Sequence, residues 1–274
     1  MELAVRIASA LVFGPALLAI IWYSNSLGYT TFIAALMAFA GWEWAKLAGA
    51  GSTLMRASFA IGMGAITLAL ITQATSEITQ TLVLLGMLIW LANLSWLARP
   101  QLLNAANGTP LVLKVALGCV VLSVAGLSLA RIQQAHLGQG LTIVFFLIIW
   151  SADIGAYGAG RLFGRRKLAP SISPGKSWEG VVGGQILVAL VIWLLLKFTP
   201  EGLKLGSWLY PLAAITAAVS VVGDLFISVL KRQRELKDTG RLLPGHGGVL
   251  DRFDSTVAAA PFFLAGLYWA ERLT

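Results

Sequence analysis

The chain has 274 residues, 58% of them hydrophobic and only 12% charged, with a formal net charge of +8. Soluble domains carry about twice that share of charge, so the composition excludes an ordinary soluble enzyme and points to an all-α polytopic integral membrane protein. The single cysteine, Cys119, lies in an apolar run, reads as a small packing residue and excludes an internal disulfide framework or a multi-cysteine metal site.

In chain order, nine apolar segments reach the roughly 20 residues that a transmembrane helix needs: about 6–24, 28–47, 56–73, 80–98, 111–131, 140–160, 180–198, 207–230 and 253–270. The first follows a basic residue, as in a signal peptide. Its apolar core is long, Glu2 spoils the basic flank and no clear cleavage site follows, so it reads as an uncleaved span. Strict period-2 alternation is missing, which disfavours a β-barrel. Internal repeats and low-complexity tracts are missing too.

Lys and Arg placement orients these spans. With the N-terminus on side one, sixteen of the 20 Lys and Arg residues fall on that side. Arg131, Lys197, Lys204 and Arg272 fall on the other. By the positive-inside rule side one is cytoplasmic and the C-terminus lies on the opposite side. The positive charge is therefore mostly topology, with no call for a nucleic-acid partner, and it also suits anionic headgroups. Two cytoplasmic loops stand apart, residues 160–180 and 231–251. The chain divides at this level into an N-terminal membrane region, 1–139, of about five spans and a C-terminal region, 140–274, of about four spans plus both loops. Either a dimer interface or a lipid cavity would suit the first region.

Two acids lie where lipid is expected. Asp153 stands in IIWSADIGAYGAGR and Asp224 in AVSVVGDLFISVLKR. An aspartate near the bilayer centre costs about 2.5–3.5 kcal/mol on insertion scales, so it usually faces a cavity or a partner. Asp153, Tyr157 and Arg161 share one helix face at i, i+4 and i+8. Asp224, Ser228 and Lys231 or Arg232 repeat the arrangement. Such a face can hold a cation deep and a phosphate shallow, although an ion pair inside the bundle fits as well. Glu43, in AGWEWAKL, has tryptophan neighbours that resemble an interfacial belt. It reads equally as an anchored interfacial carboxylate or as a site residue.

The first loop, GRLFGRRKLAPSISPGKSWEG, contains SPGKS. A nucleotide-binding P-loop needs a glycine where Pro170 stands and a strand before it, and no strand is expected there. Gly158-x-Gly160 likewise lacks its third glycine, Phe163 standing in that place, and reads as helix packing through small residues. What remains is a flexible loop bearing Arg161, Arg165, Arg166, Lys167 and Lys176, ending at Glu179. Topology explains its basic residues. Phosphate binding explains Lys176 between Pro174-Gly175 and Ser177.

The second loop belongs to SVLKRQRELKDTGRLLPGHGGVLDRFDS, residues 228–255, which holds ten charged residues. Gly240, Gly245, Gly247 and Gly248 let backbone amides approach an anion. Lys231, Arg232, Lys237 and Arg241 can neutralise phosphates. Asp251 and Asp254, at i and i+3, join Asp224 as a candidate carboxylate site for Mg²⁺, an ion that takes one or two carboxylates plus substrate phosphate oxygens. His246 has no second His or Cys nearby and reads as a phosphate-facing donor or a structural residue.

These residues match more than a chemical type. The pattern S-x-[LIVMF]-K-R-x4-K-D-x-[GSA]-x2-[LIF]-[PG]-x-H-G-G-[LIVMF]-x-D-R-[LIVMFT]-D resembles the signature of the phosphatidate cytidylyltransferases, or CDP-diacylglycerol synthases. Here it runs without departure through Ser228, Lys231, Arg232, Lys237, Asp238, Gly240, Leu243, Pro244, His246, Gly247, Gly248, Val249, Asp251, Arg252, Phe253 and Asp254. Asp153, Tyr157, Gly160, Arg161 and the segment 173–180 also look like that family, with Gly175 replacing a basic residue often seen before Lys176. The likeness covers the chain from about Trp150.

The resemblance implies transfer of a cytidylyl group from CTP to phosphatidate, giving CDP-diacylglycerol and pyrophosphate for phospholipid synthesis, at the cytoplasmic face of a bacterial inner membrane. It implies Mg²⁺ as cofactor, leaves room for a second, monovalent cation such as K⁺, and allows a homodimer. It makes Asp224 and Asp251 metal ligands, with Asp254 and Asp153 in support. It gives catalytic cation roles to Lys231, Arg232 and Lys237, and substrate contacts to Arg161, Lys176, Ser177, Ser228, Arg241, His246, Gly247, Gly248, Arg252, Asp153 and Tyr157. Two alternatives remain on sequence alone. A CTP-dependent polyprenol or dolichol kinase-like enzyme would use the same nucleotide in lipid, and a transporter would use buried acids nearer the midplane. A CDP-alcohol phosphotransferase is disfavoured because its D-G-x2-A-R core is missing.

Overall fold

The computed structural model describes residues 2–97, 111–198, 206–240, 242 and 247–273. Among these, the apolar runs form nine α-helices: α1 (Glu2–Tyr23), α2 (Ser26–Ala48), α3 (Thr53–Gln73), α4 (Ser76–Leu97), α5 (Leu111–Gln134), α6 (Gly138–Phe163), α7 (Trp178–Phe198), α8 (Leu209–Gln233) and α9 (Leu250–Leu273). Each expected span coincides with one of them. Polar residues between the runs set the boundaries. Asn25 caps α2 by accepting the Gly28 amide at 2.8 Å, and Gly49 ends it in the left-handed region at φ 108°. Ser52 caps α3 through the Met55 amide at 3.1 Å.

Six of these helices, α3 to α8, are long and apolar enough to cross a membrane by length and composition. The chain is a polytopic membrane protein. The expectation of nine such segments meets that measure in six. Among the others, α2 carries Glu43 and Lys46 while α9 opens with Asp251, Arg252 and Asp254, and this polarity lowers their hydropathy.

The central helix is α5, whose residues Val121 to Ala130 are buried without interruption, as an all-round apolar helix should be. Trp44 of α2 stacks on Phe226 of α8, with ring centroids 6.2 Å apart, and Trp90 of α4 meets the same ring edge-on at 5.4 Å. By contrast, α3 and α7 bury few residues and expose Leu54, Ile61, Val182, Ile186 and Leu190, as helices at a lipid boundary do. Along α6 and α7 small residues permit close contact. A Cβ added at Gly155 would lie 2.7 Å from the Gly183 carbonyl, and one at Gly180 would lie 2.9 Å from that of Ala156. Gly160 approaches Gly180, whereas Gly158 faces open space, so the small-residue reading holds for one of that pair.

Hydrogen bonds tie helix ends together at both faces of the bundle. At one face Arg131 donates to the Ala74 carbonyl at 2.6 Å, Gln133 to Ile21 at 2.8 Å and Gln139 to Trp22 at 2.9 Å. Arg131 thus ends α3 by binding its C-cap carbonyl, a local use for one of the few basic residues on that side. At the other face the Trp44 indole donates to the Lys114 carbonyl at 2.9 Å and Lys46 to that of Thr239 at 3.1 Å. These contacts group the loops as the basic residues do.

One departure from an all-α chain is a hairpin in the first loop. Strands β1 (Lys167–Ala169) and β2 (Ser173–Ser177) pair antiparallel, Lys167 opposite Ser177 and Ala169 opposite Ser173. The segment expected to be flexible is therefore tied down. The Glu179 carboxylate accepts the amides of Arg165 and Arg166 at 3.2 Å, and the Trp178 amide donates to the Arg166 carbonyl at 2.9 Å. SPGKS is itself a strand, so it offers no phosphate-cradling turn between strand and helix, and the P-loop reading falls on geometry as well.

Candidate active site

Where α8 ends it meets the hairpin and the first turn of α9, and the charged side chains of all three converge. Gly223 makes this approach close. A Cβ there would collide with the Asp254 carbonyl and lie 2.7 Å from the Ala258 Cβ. With only a hydrogen in that position, α8 lies against α9 and the next residue, Asp224, comes within electrostatic reach of Asp254. Asp153 of α6 also feels the charge of Asp224. Three carboxylates thus share one region, with cations beside them.

Lys176, at the end of β2, lies 2.6 Å from the second oxygen of Asp224, and Ser228 donates to the first at 3.3 Å. Lys231, two turns beyond Asp224, donates to Oδ1 of Asp251 at 2.8 Å. Oδ2 of Asp251 accepts the Thr239 amide at 2.8 Å and the Gly248 amide at 2.9 Å, and the Thr239 hydroxyl lies 2.9 Å away, its one proton shared between this oxygen and Glu43. Asp251 stands in the first turn of its helix, ahead of the apolar stretch. Burial works to raise its carboxyl, but these bonds from Lys231, Gly248 and Thr239 hold it below the usual carboxylate range. Gly247 adopts φ 83°, and a Cβ there would lie 2.6 Å from Asp251. Both its left-handed backbone and that approach require glycine.

Other expected site residues serve the frame as well. Ser177 is buried and accepts the Gly180 amide at 3.1 Å, capping α7. Arg232 donates to the Ile172 carbonyl at 3.3 Å, fastening the hairpin to α8. Arg161 donates to the Tyr157 hydroxyl at 3.0 Å on an exposed face, one helical turn apart as their spacing requires. Lys237 and Arg252 are exposed. Arg241 and His246, with Gly245 beside them, lie outside the described residues.

An apolar cavity of about 700 Å³ opens beside this cluster, between α1, α2, α6 and α9. Phe13, Leu17, Leu36, Phe146, Ile149 and Phe253 contribute to its walls, while Asp153 and Arg252 stand on its lining as the charged residues. It is amphipathic in the sense a lipid headgroup with attached chains needs.

Among the described residues, no group of three or more His, Cys, Asp or Glu is placed to enclose a metal ion. Asp251 has both oxygens engaged by protein donors. Asp224 is only part-buried and its partners are a lysine and a hydroxyl, both exchangeable. This donor set fits a hard divalent ion held by one or two carboxylates and completed by substrate oxygens and water, as Mg²⁺ commonly is.

Four residues that the sequence reading did not place in the site take part in its architecture. Thr239 bonds Asp251, Glu179 holds the hairpin, Arg234 binds the end of α2, and Glu43 reaches the second loop from α2. Arg234 and Thr239 stand at unrestricted positions of the pattern, where no residue type drew notice. Glu43 was legible only as one of two equal readings.

Fold and site together define a helical membrane protein that gathers carboxylates and cations at one end of its bundle, beside an apolar cavity. Comparison with known proteins gives this class a family. The cytidylyltransferase family matches residues 4–269. The chain is 40% identical over 268 residues to a phosphatidate cytidylyltransferase of Pseudomonas aeruginosa, covering 97% of this chain and 96% of the relative. It is 35% identical over 276 residues to one of Haemophilus influenzae, at 94% and 96% coverage, and 35% identical over 274 residues to one of Brucella suis, at 98% and 95%. The chain belongs to the phosphatidate cytidylyltransferase family. The likeness therefore extends through the N-terminal helices, beyond the C-terminal half in which the motifs lie.

Proposed function

We propose that this chain transfers a cytidylyl group from CTP to phosphatidate, releasing pyrophosphate and forming CDP-diacylglycerol. The observation that carries this reading is the meeting of the Lys176–Asp224 and Lys231–Asp251 pairs beside a cavity with apolar walls and an Arg252 lining residue. A soluble nucleotide meets the cation cluster from the loop side, while acyl chains stay in apolar surroundings.

The chemistry asks for positioning and charge neutralisation. A phosphomonoester has a second pKa near 6, so phosphatidate is largely dianionic at neutral pH and needs no general base. One of its oxygens forms the new bond to the α-phosphorus of CTP as the bond from that phosphorus to the β-bridging oxygen breaks. The electron pair of the broken bond leaves with pyrophosphate. Lys176 and Lys231 exchange carboxylate partners for phosphate oxygens, and Lys237, Arg161, Arg232 and Arg241 add positive charge where the triphosphate lies. Arg252 takes the lipid phosphate at the cavity, Asp153 and Tyr157 line its approach, and Ser228 orients Asp224. Ser177, Gly247, Gly248 and His246 shape the two loops around the substrates. Asp224, with Asp251 and Asp254 beside it, would hold Mg²⁺, which when bound supplies Lewis-acid stabilisation of the phosphate oxygens. A monovalent cation such as K⁺ is compatible with the remaining carboxylates.

The finer topology belongs to the same reading. Nine spans with a cytoplasmic N-terminus and an opposite C-terminus put both basic loops at the cytoplasmic face of an inner membrane. The 140–274 region then carries the reacting groups, and 1–139 supplies cavity walls and support. Purified protein in detergent or nanodiscs, given labelled CTP with phosphatidate or with a polyprenol, tests the activity. CDP-lipid formed with release of pyrophosphate upholds it. A phosphorylated alcohol, or no turnover with either acceptor, overturns it.

A further inference from the structure

Glu43 lies on α2, within an apolar helix, and is only 4% exposed. A buried carboxylate with no partner is expensive, and among the described residues Glu43 forms no ion pair. It is satisfied instead by three donors distant in sequence. Val249 and Leu250 donate their amides at 2.9 and 2.7 Å, and the Thr239 hydroxyl donates at 2.7 Å. The two amides belong to the start of α9, where the first N–H groups have no partner within the helix and the helix dipole favours an anion. Glu43 thus caps α9 from a helix some two hundred positions earlier in the chain.

Two glycines of the second loop pack on this carboxylate. A Cβ at Gly240 or at Gly248 would collide with the Glu43 oxygens. For these two glycines, the anion approached closely in this structure is the protein's own. Further bonds clasp the same end of α2. Lys46 donates to the Thr239 carbonyl, and Arg234 donates to the carbonyls of Leu47 at 3.0 Å and Ala48 at 2.7 Å. The Arg234 guanidinium fills the space a side chain would need at Gly49.

Glu43 touches none of the charged groups assigned to the chemistry, yet Thr239 joins it to one. The Thr239 hydroxyl lies between Oε2 of Glu43 and Oδ2 of Asp251, and Gly248, whose amide also binds Asp251, packs on Glu43. We infer that Glu43 is a positioning residue of the active site: it latches Thr239, Val249 and Leu250 to α2, and through Thr239 and Gly248 it sets where Asp251 and its partner Lys231 stand. The inference rests on the proposed activity for its kinetic arm, but the latch itself has an independent readout.

Glu43→Gln keeps the shape and replaces one acceptor oxygen with a donor that faces donors. Its test combines steady-state CTP turnover, thermal unfolding in detergent and amide hydrogen exchange. The expected result is a folded protein with an unfolding temperature lower by no more than several degrees, exchange at Val249 and Leu250 faster by at least about tenfold, and kcat lower by about 10- to 100-fold, the scale of a lost bond to a charged group. KM for CTP changes less than kcat, because Lys176, Arg161 and Arg232 hold the triphosphate from elements that Glu43 does not touch. Thr239→Val lowers kcat as well, and the double variant loses little beyond the worse single one, since both act through one bond. Wild-type kcat in Glu43→Gln, unchanged exchange at 249 and 250, or additive losses in the double variant overturn the inference. If Glu43→Gln does not fold, Gly240→Ala presses on the same carboxylate, and unchanged exchange there overturns it equally. Should the wild type turn over no CTP, the proposed activity fails while the exchange measurement still decides the latch.

Discussion

Lys176 on the hairpin and Asp224 inside α8 form an ion pair at 2.6 Å, with both side chains partly open to solvent. A pair of this kind is replaceable, because each partner recovers hydration or a new ligand when the other leaves. In the proposed reaction substrate competes with it for both partners, so Lys176→Met would remove a phosphate contact and also free Asp224. CTP turnover is expected to show a KM for CTP raised about tenfold or more, the scale of a charge-assisted hydrogen bond. Asp224→Asn is expected to remove Mg²⁺-dependent pyrophosphate release at any CTP concentration. Near wild-type release by Asp224→Asn would sink the metal assignment.

Gly223 offers a steric test of how the carboxylates meet. An alanine there would push α8 from the α9 backbone at Asp254. Overpacking of a close contact costs about 1–3 kcal/mol, so Gly223→Ala is expected to lower the unfolding temperature by several degrees and to reduce kcat together with it. Unchanged stability and activity would mean that the helices are not in contact at this point.

Ser177 separates a structural duty from a substrate contact. Its hydroxyl caps α7, and loss of an N-cap costs about 1 kcal/mol. Ser177→Ala is expected to lose about that much stability, while Ser177→Asp, which can still cap, retains more of it. A fall in CTP affinity with stability intact would place the hydroxyl on the nucleotide instead.

The cavity is testable through Gly14, which lines it and has no atom within 4 Å of where its Cβ would be. Gly14→Leu adds a side chain at the cavity lining whose first carbon meets no other atom. Its expected effect is a several-fold higher KM for long-chain phosphatidate, with short-chain substrate and CTP little affected. Equal effects on all three would detach the cavity from the acyl chains.

The helices were legible because the apolar runs are long enough to span a bilayer, and some of their ends carry residues suited to caps, such as Asn25, Ser52 and Gly49. The site was legible where its chemistry is local. Asp224, Ser228 and Lys231 share a helix face by spacing alone. The hairpin was not, since strands of three and five residues are too short to show a period, and the Glu179 bonds that order it cross a turn. Ser177 entered the site through the family resemblance, whereas its cap depends on where α7 begins. Glu43 was ambiguous because its donors lie 196 to 207 positions away and its tryptophan neighbours fit a membrane boundary equally well. Of those two, Trp44 is in fact a core residue, 1% exposed.

The clasp between α2 and the second loop also bears on how the protein is made. Membrane helices enter the bilayer in the order of synthesis, so the Glu43 carboxylate and the bare carbonyls of Leu47 and Ala48 are in place before Arg234, Thr239, Val249 and Leu250 exist. The clasp can therefore close only after the residues that donate to it, some two hundred positions later in the chain, have been made.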